Sequence, residues 1–194
     1  MLNNVKHTVM LAEDTGHIVG SKDVFLYNIA SQVHVAGANT VHWDLFNADA
    51  SKLIRVLSIR QIPNITTAVV GVVFDWYLGR TTAIGTAGTA QTAWLPDLSQ
   101  TALPAGVTCR SKPTGGADAG VTLFNYSLSS EETNAAAIQI ASQGGLELVP
   151  PPLIDVGMIK ARGILLRQNQ GIRVVQVTNS NAGNTGWLIA FSVE

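Results

Sequence analysis

The chain has 194 residues, of which 46% are apolar and only 13% charged, about half the charged share of an average soluble domain. Twelve Lys and Arg against thirteen Asp and Glu leave a net charge of -1, which excludes the basic footprint of a nucleic-acid-binding domain. A mean hydropathy of +0.24 excludes disorder, which requires low hydrophobicity and high net charge.

A chain of this length is expected to fold as one domain and to bury roughly 70% of the surface its unfolded form exposes. No disulfide staple or structural metal is then required. The single cysteine, Cys109, cannot form an intramolecular disulfide or build a zinc site alone, and a small buried side chain is expected there. Near the start, Val9-Met10-Leu11 is followed by Glu13 and Asp14, too short an apolar run for a signal-peptide core. Nothing approaches the ~18 consecutive apolar residues of a membrane-spanning helix. The expectation is a soluble protein made in a cytoplasm, without membrane contact.

Residues 1–22 have weak strand character and are expected to form an N-terminal arm ahead of a single β-sandwich domain over 23–194. Short apolar runs then alternate with clusters of Gly, Asn, Pro, Ser and Thr, the pattern of an all-β sandwich or barrel. Strands are predicted at 24–29, 33–36, 53–62, 68–78, 107–109, 121–128, 137–141, 163–167, 172–178 and 187–193. Several alternate as half-buried strands do. Val70, Val72, Phe74, Trp76 and Leu78 share one face, as do Thr122, Phe124, Tyr126 and Leu128, and again Trp187, Ile189, Phe191 and Val193.

The connections carry their own signals. The Thr, Ala and Gly stretch from Gly79 to Pro104 is long for a structureless loop, so it is expected to hold a short strand or lie over a neighbouring surface. Residues 112–120, with Pro113 and Gly115-Gly116, read as a tip. Ser129-x-x-Glu132 has the form of a helix capping box. Because Ile138 and Ile140 alternate and Gly144-Gly145 follow, a turn and then a strand is expected instead. Pro150-Pro151-Pro152 forces an extended crossing, and 179–186 is a turn rich in Asn and Gly. The predicted fold is all-β: a two-sheet, jelly-roll-like sandwich, since pairing two sheets hides most strand edges.

The candidate chemical sites are sparse. His34 and His42 flank Gly37-Ala38-Asn39, so a hairpin there would bring the imidazoles together, with Asp44 on the strand face of His42. Two His and one carboxylate form a metal set, against which stands the ordinary reading of hydrogen-bonded or surface histidines. His7 and His17 around Glu13-Asp14 are a weaker version. Paired acids for glycoside hydrolysis would come from Asp44, Asp49, Asp75 and Asp97, but no spacing favours a pair, and Glu131-Glu132 sits in a predicted loop. Gly85-Thr86-Ala87-Gly88 lacks the Lys and Ser/Thr of a phosphate loop. Phe74, Trp76 and Tyr77 cluster in one strand, where core packing competes with a sugar-binding platform. No catalytic, cofactor or metal residue is assigned.

The shortage of charge is the most informative property. A surface covered by hydroxyls, amides and small side chains is cheap to desolvate, costing roughly 1–3 kcal/mol per group against several for an unpaired charge. Chains packed permanently against copies of themselves have reason to look this way.

Three stretches carry a resemblance. Leu45-Phe46-Asn47 followed by Ser51-Lys52-Leu53-Ile54-Arg55-Val56 reads as a strand, an Asn-containing turn and a strand. Arg80-Thr81-Thr82 runs through a Gly/Thr/Ala segment to Leu95-Pro96-Asp97. Gly163-Ile164-Leu165-Leu166-Arg167 and Gly171-Ile172-Arg173-Val174-Val175-Gln176 precede the terminal strand over 186–194. Over residues 42–194 this pattern resembles the small β-sandwich virion structural proteins of tailed bacteriophages, the capsid decoration (cement) and tail-associated proteins. Arg167-Gln168-Asn169-Gln170-Gly171 stands where those chains carry Arg-Pro-Gly-Glu-Gly. The resemblance implies a non-enzymatic virion protein without cofactors, most simply a homotrimer that binds the major capsid protein. Residues 1–22 and the Gly79–Pro104 loop are then its expected contacts. A carbohydrate-binding fibre module, testing Trp43 and Trp94 first, is the alternative, and a cupin-like metal enzyme or glycosidase is third.

Overall fold

Strand-forming residues cover most of the chain, and their arrangement follows from the partner each apolar face needs. The computed structural model describes residues 23–34, 40–63, 72–96, 98–130, 154–155, 164–178 and 183–194. These residues form β1 (Asp23–His34), β2 (Thr40–Asn47), β3 (Ile54–Pro63), β4 (Val72–Ala83), β5 (Thr89–Ala90), β6 (Val107–Ser111), β7 (Ala117–Ser130), β8 (Ile154–Asp155), β9 (Ile164–Leu166), β10 (Gln170–Thr178) and β11 (Gly183–Val193). No helix occurs among them.

All pairings are antiparallel, in two sheets. The first has the order β1-β11-β3, with β8 and β9 both on the far edge of β3; the second has the order β5-β6-β2-β10-β4-β7. The pairing is nested. β4 meets β7, β3 meets β8 and β9, β2 meets β10, and β1 meets β11. A long antiparallel ribbon folded over on itself produces this order, which is the logic of an eight-stranded jelly roll. β8 and β9 count as one strand in that scheme. Ile154 lies opposite Ile59 and Ile164 opposite Val56, so both run the same way along one edge. β5 and β6 are the addition, inserted between β4 and β7 and extending the second sheet beyond β2.

The inner faces supply the core: Phe25, Tyr27, Ile29, Ile54, Val56, Ile59, Leu166, Trp187, Ile189 and Phe191 from the first sheet, and Trp43, Leu45, Trp76, Leu78, Val107, Cys109, Ile172 and Val174 from the second. Phe191 stacks on Phe25 and Tyr27, with ring centroids 5.6 and 5.2 Å away. Trp187 meets Trp76 edge-on at 5.1 Å and Trp43 at 5.9 Å. Arg80 in β4 reaches across to the Leu165 carbonyl in β9 (2.8 Å).

The all-β sandwich therefore forms as expected, with several corrections in detail. β2 is a full strand that alternation misses, and the predicted pieces at 24–29 and 33–36 join in β1, with a register shift between Ile29 and Gln32. The long stretch after Gly79 begins as the end of β4, then holds β5 and a two-bond bridge in which Leu26 and Trp94 exchange N–H···O bonds of 3.0 and 2.7 Å. The expected arm over 1–22, the strand at 137–141 and the Pro150-Pro151-Pro152 crossing lie outside the described residues.

Asn47 ties the ribbon down at one end of the sandwich. Fully buried, it donates from Nδ2 to the carbonyls of Lys52 (2.9 Å) and Leu166 (3.1 Å), and its Oδ1 accepts Asp49 N–H (3.0 Å). Its backbone carbonyl accepts Asn169 N–H (2.7 Å), from a residue whose φ of 59° suits Asn. Asn47→Ala strands a buried carbonyl and is expected to cost about 2–3 kcal/mol, read from the urea midpoint at unchanged slope.

Candidate functional site

The His42 side chain lies in the interior because of a bulge. β2 and β10 pair Trp43 with Val174 and then Val41 with Val175, so His42 is the extra residue. A bulge of this kind re-aims a side chain. His42, 1% exposed, packs edge-on against Trp187 at 5.7 Å. It donates from Nε2 to Gln176 Oε1 (3.0 Å). Close by, the Trp76 indole donates across the sandwich to Gln61 Oε1 (3.1 Å). This end of the core is a polar cluster enclosed by aromatic rings.

Asp44 lies on the opposite face of β2. Arg110 of β6 and Arg173 of β10 are its cross-strand neighbours, and Gly85 N–H donates to its Oδ2 (2.7 Å). This bond clamps the turn after β4 onto the sheet. A Cβ at position 85 would collide with Pro113 and crowd that carboxylate, so glycine is required. Burial pushes the Asp44 pKa up, and the Gly85 and Arg110 amides and the two guanidinium charges only partly offset it. Arg173 turns away to pair with Asp118 (2.7 Å), which also accepts from the Tyr77 hydroxyl (2.9 Å). Although its partial burial acts upward, these bonds and the Gly120 N–H hold Asp118 below the usual carboxylate value. The same chemistry acts on Asp49, lowered first by Ser51 N–H and then by its hydroxyl.

These placements correct the metal reading. β1 and β2 belong to different sheets and do not pair as a hairpin; Gly37-Ala38-Asn39 lies outside the described residues. His42 and Asp44 do not share a face, since the bulge separates them. The His34 side chain lies outside the described residues, and so do His7, His17, Glu13, Asp14, Asp97, Glu131 and Glu132. Among the described residues no group of three or more His, Cys, Asp or Glu is placed to hold a metal ion. Asp44, Asp49 and Asp75 stand apart, on the outer face of β2, in the turn after it, and in the first half of β4. Cys109 is buried as expected, its thiol pushed well up by burial and then by Asp44.

Of the aromatic candidates, Trp76 is in the core and Tyr77 on the outer face; the Phe74 side chain lies outside the described residues. Trp43 is wholly buried and cannot be a sugar platform. Trp94 remains available at 63% exposure, followed by Leu98 at 91%, both on the insertion. Val121, Leu123 and Phe124 are exposed on β7, which ends the second sheet. Alternation could not have located these residues, because what leaves them outside is the sheet order.

No family model, curated protein or solved structure matches the chain.

The two aspartates are expected to oppose each other in pH dependence. Asp118 is depressed when folded, so it stabilises above the ordinary carboxylate pKa and loses that contribution as pH falls through its folded value. Asp44 is raised, so its ionisation costs stability at neutral pH and the cost vanishes as pH falls through its folded value. In urea titrations between pH 3 and 7, Asp118→Asn should be the less stable protein near neutrality. Asp44→Asn, which keeps an acceptor for Gly85, should be the more stable, and both differences should close at the acid end.

Proposed function

We propose that this chain is a structural protein of a tailed-bacteriophage virion, a capsid decoration protein that binds the assembled shell as a homotrimer. The observation that supports this reading best is the outward placement of large apolar side chains on a chain so poor in charge. Trp94 and Leu98 stand on the insertion, and Val121 and Leu123 on the terminal strand of the larger sheet. Such surfaces are cheap to desolvate, because few charges must leave water. The mechanism is mechanical. Several copies of a modest contact, held in one trimer, add up to an attachment far tighter than each alone. A partner that binds only the assembled shell stabilises that shell by linkage. Neither nucleic acid nor membrane enters this reading.

A second reading rests on Trp94 alone. An indole exposed on a backbone pinned to β1 is a suitable stacking platform for a sugar ring, so a carbohydrate-binding fibre module is the alternative.

Light scattering separates the first step. A homotrimer gives about 60 kDa, three times the 20.5 kDa chain, and a monomer overturns the preformed trimer. Co-sedimentation with assembled shells tests the partner. Trp94→Ser with Leu98→Ser should weaken binding at least ~10-fold, as loss of a buried aromatic anchor does, without shifting the melting temperature. Truncation to residues 23–194 leaves β1 whole and should abolish shell binding while sparing the trimer. Failure of the intact chain to co-sediment overturns the decoration reading, unchanged binding by both variants overturns these two contact regions, and glycan-array signal lost in Trp94→Ser favours the second reading instead.

A further inference from the structure

A half-open cavity of about 350 Å³ lies between the edge of β1, the inner side of β6 and the insertion. Its walls include Tyr27, Ala93, Leu95, Leu103, Val107 and Cys109. The insertion is held over it by backbone bonds on several sides: Trp94 to Leu26, Gln91 N–H to the Cys109 carbonyl (2.9 Å) and Val107 N–H to the Pro104 carbonyl (2.9 Å). The space is therefore built into the fold.

Two polar groups meet this apolar lining. Tyr27 is 1% exposed overall and lines the cavity. Cys109 is its neighbour, and burial keeps both groups protonated, with Cys109 adding to the rise at Tyr27 and Asp44 to the rise at Cys109. The one charged residue on the lining, Arg110, follows Cys109 in β6, so its side chain projects to the outer face beside Asp44. Nothing in the cavity calls for a charged ligand.

We propose that this cavity binds a small uncharged molecule, largely apolar and carrying one hydrogen-bond acceptor for the Tyr27 hydroxyl. Scaling from a cavity of about 150 Å³ that takes benzene, the ligand has up to roughly 14 non-hydrogen atoms. Apolar walls with a few placed polar groups are the general form of small-molecule sites. The site is independent of the shell-binding reading, since it uses the inner side of the insertion and not Trp94 or Leu98.

The test titrates the full chain with acetophenone, which offers a carbonyl acceptor, and with ethylbenzene, which has the same carbon skeleton but no acceptor, while amide resonances are followed by NMR. Saturable shifts at Tyr27, Ala93, Leu103 and Cys109 are expected for both, with acetophenone the tighter. Tyr27→Phe should weaken acetophenone about five-fold, the equilibrium worth of one ordinary hydrogen bond, and leave ethylbenzene unchanged. Ala102→Phe, at an exposed rim position, should block both. Absence of saturable shifts up to the solubility limit overturns the site. So do shifts confined to other parts of the chain, and equal binding of acetophenone by the wild type and Tyr27→Phe.

Discussion

The hydrogen bond from the Trp76 indole to Gln61 joins the two sheets across the core. An indole N–H can only donate, so it fixes the orientation of the Gln61 amide. It also sets where β4 lies over β3, because a buried donor without an acceptor costs about 1–3 kcal/mol. The rings around it depend on that placement. Trp187, directly opposite Gln61 in register, is wedged between Trp76, Trp43 and His42. A slip of one residue in either strand would turn these rings outward. Hydrophobic burial makes this core favourable, and the polar bond makes it specific.

The outer face of the larger sheet follows the same economy with a different result. Asp44 would be a poor choice for a buried position on stability alone, yet it receives the Gly85 amide that anchors the insertion. Together with the exchange between Leu26 and Trp94, this bond fixes the insertion at two points, one on each sheet. The insertion is thereby a rigid platform. In the proposed shell contact, residues displayed on it need no prior ordering, which lowers the entropic cost of association.

Legibility in the sequence tracked how local the cause was. The Trp187, Ile189 and Phe191 face of β11 and the Trp76 and Leu78 face of β4 were readable by alternation, because each strand buries one side and the neighbours repeat the pattern. β2 escapes alternation for the converse reason. A bulge breaks its period at His42 and the insertion buries Asp44 on the far side, so polar and apolar residues are buried in succession. The Gly37-Ala38-Asn39 turn is compatible with a hairpin or a crossing, and only distant pairing with β11 and β10 decides between them. The exposed positions on β7 and the cavity beside Tyr27 depend on sheet order and on the insertion. Neither leaves a periodic signal.

The nested pairing bears on how such a chain is made. β10 and β11, near the end of the sequence, occupy central places in the two sheets. Until they emerge, β1 is separated from β3 and β2 from β4, and each sheet exists as two halves with open edges. At synthesis rates of ~5–20 residues per second, β1 waits roughly 10 s or more for its partner. During that interval four apolar strands offer free edges to any neighbouring chain. The fold is therefore most vulnerable just before β10 and β11 emerge, when copies on one messenger are closest together.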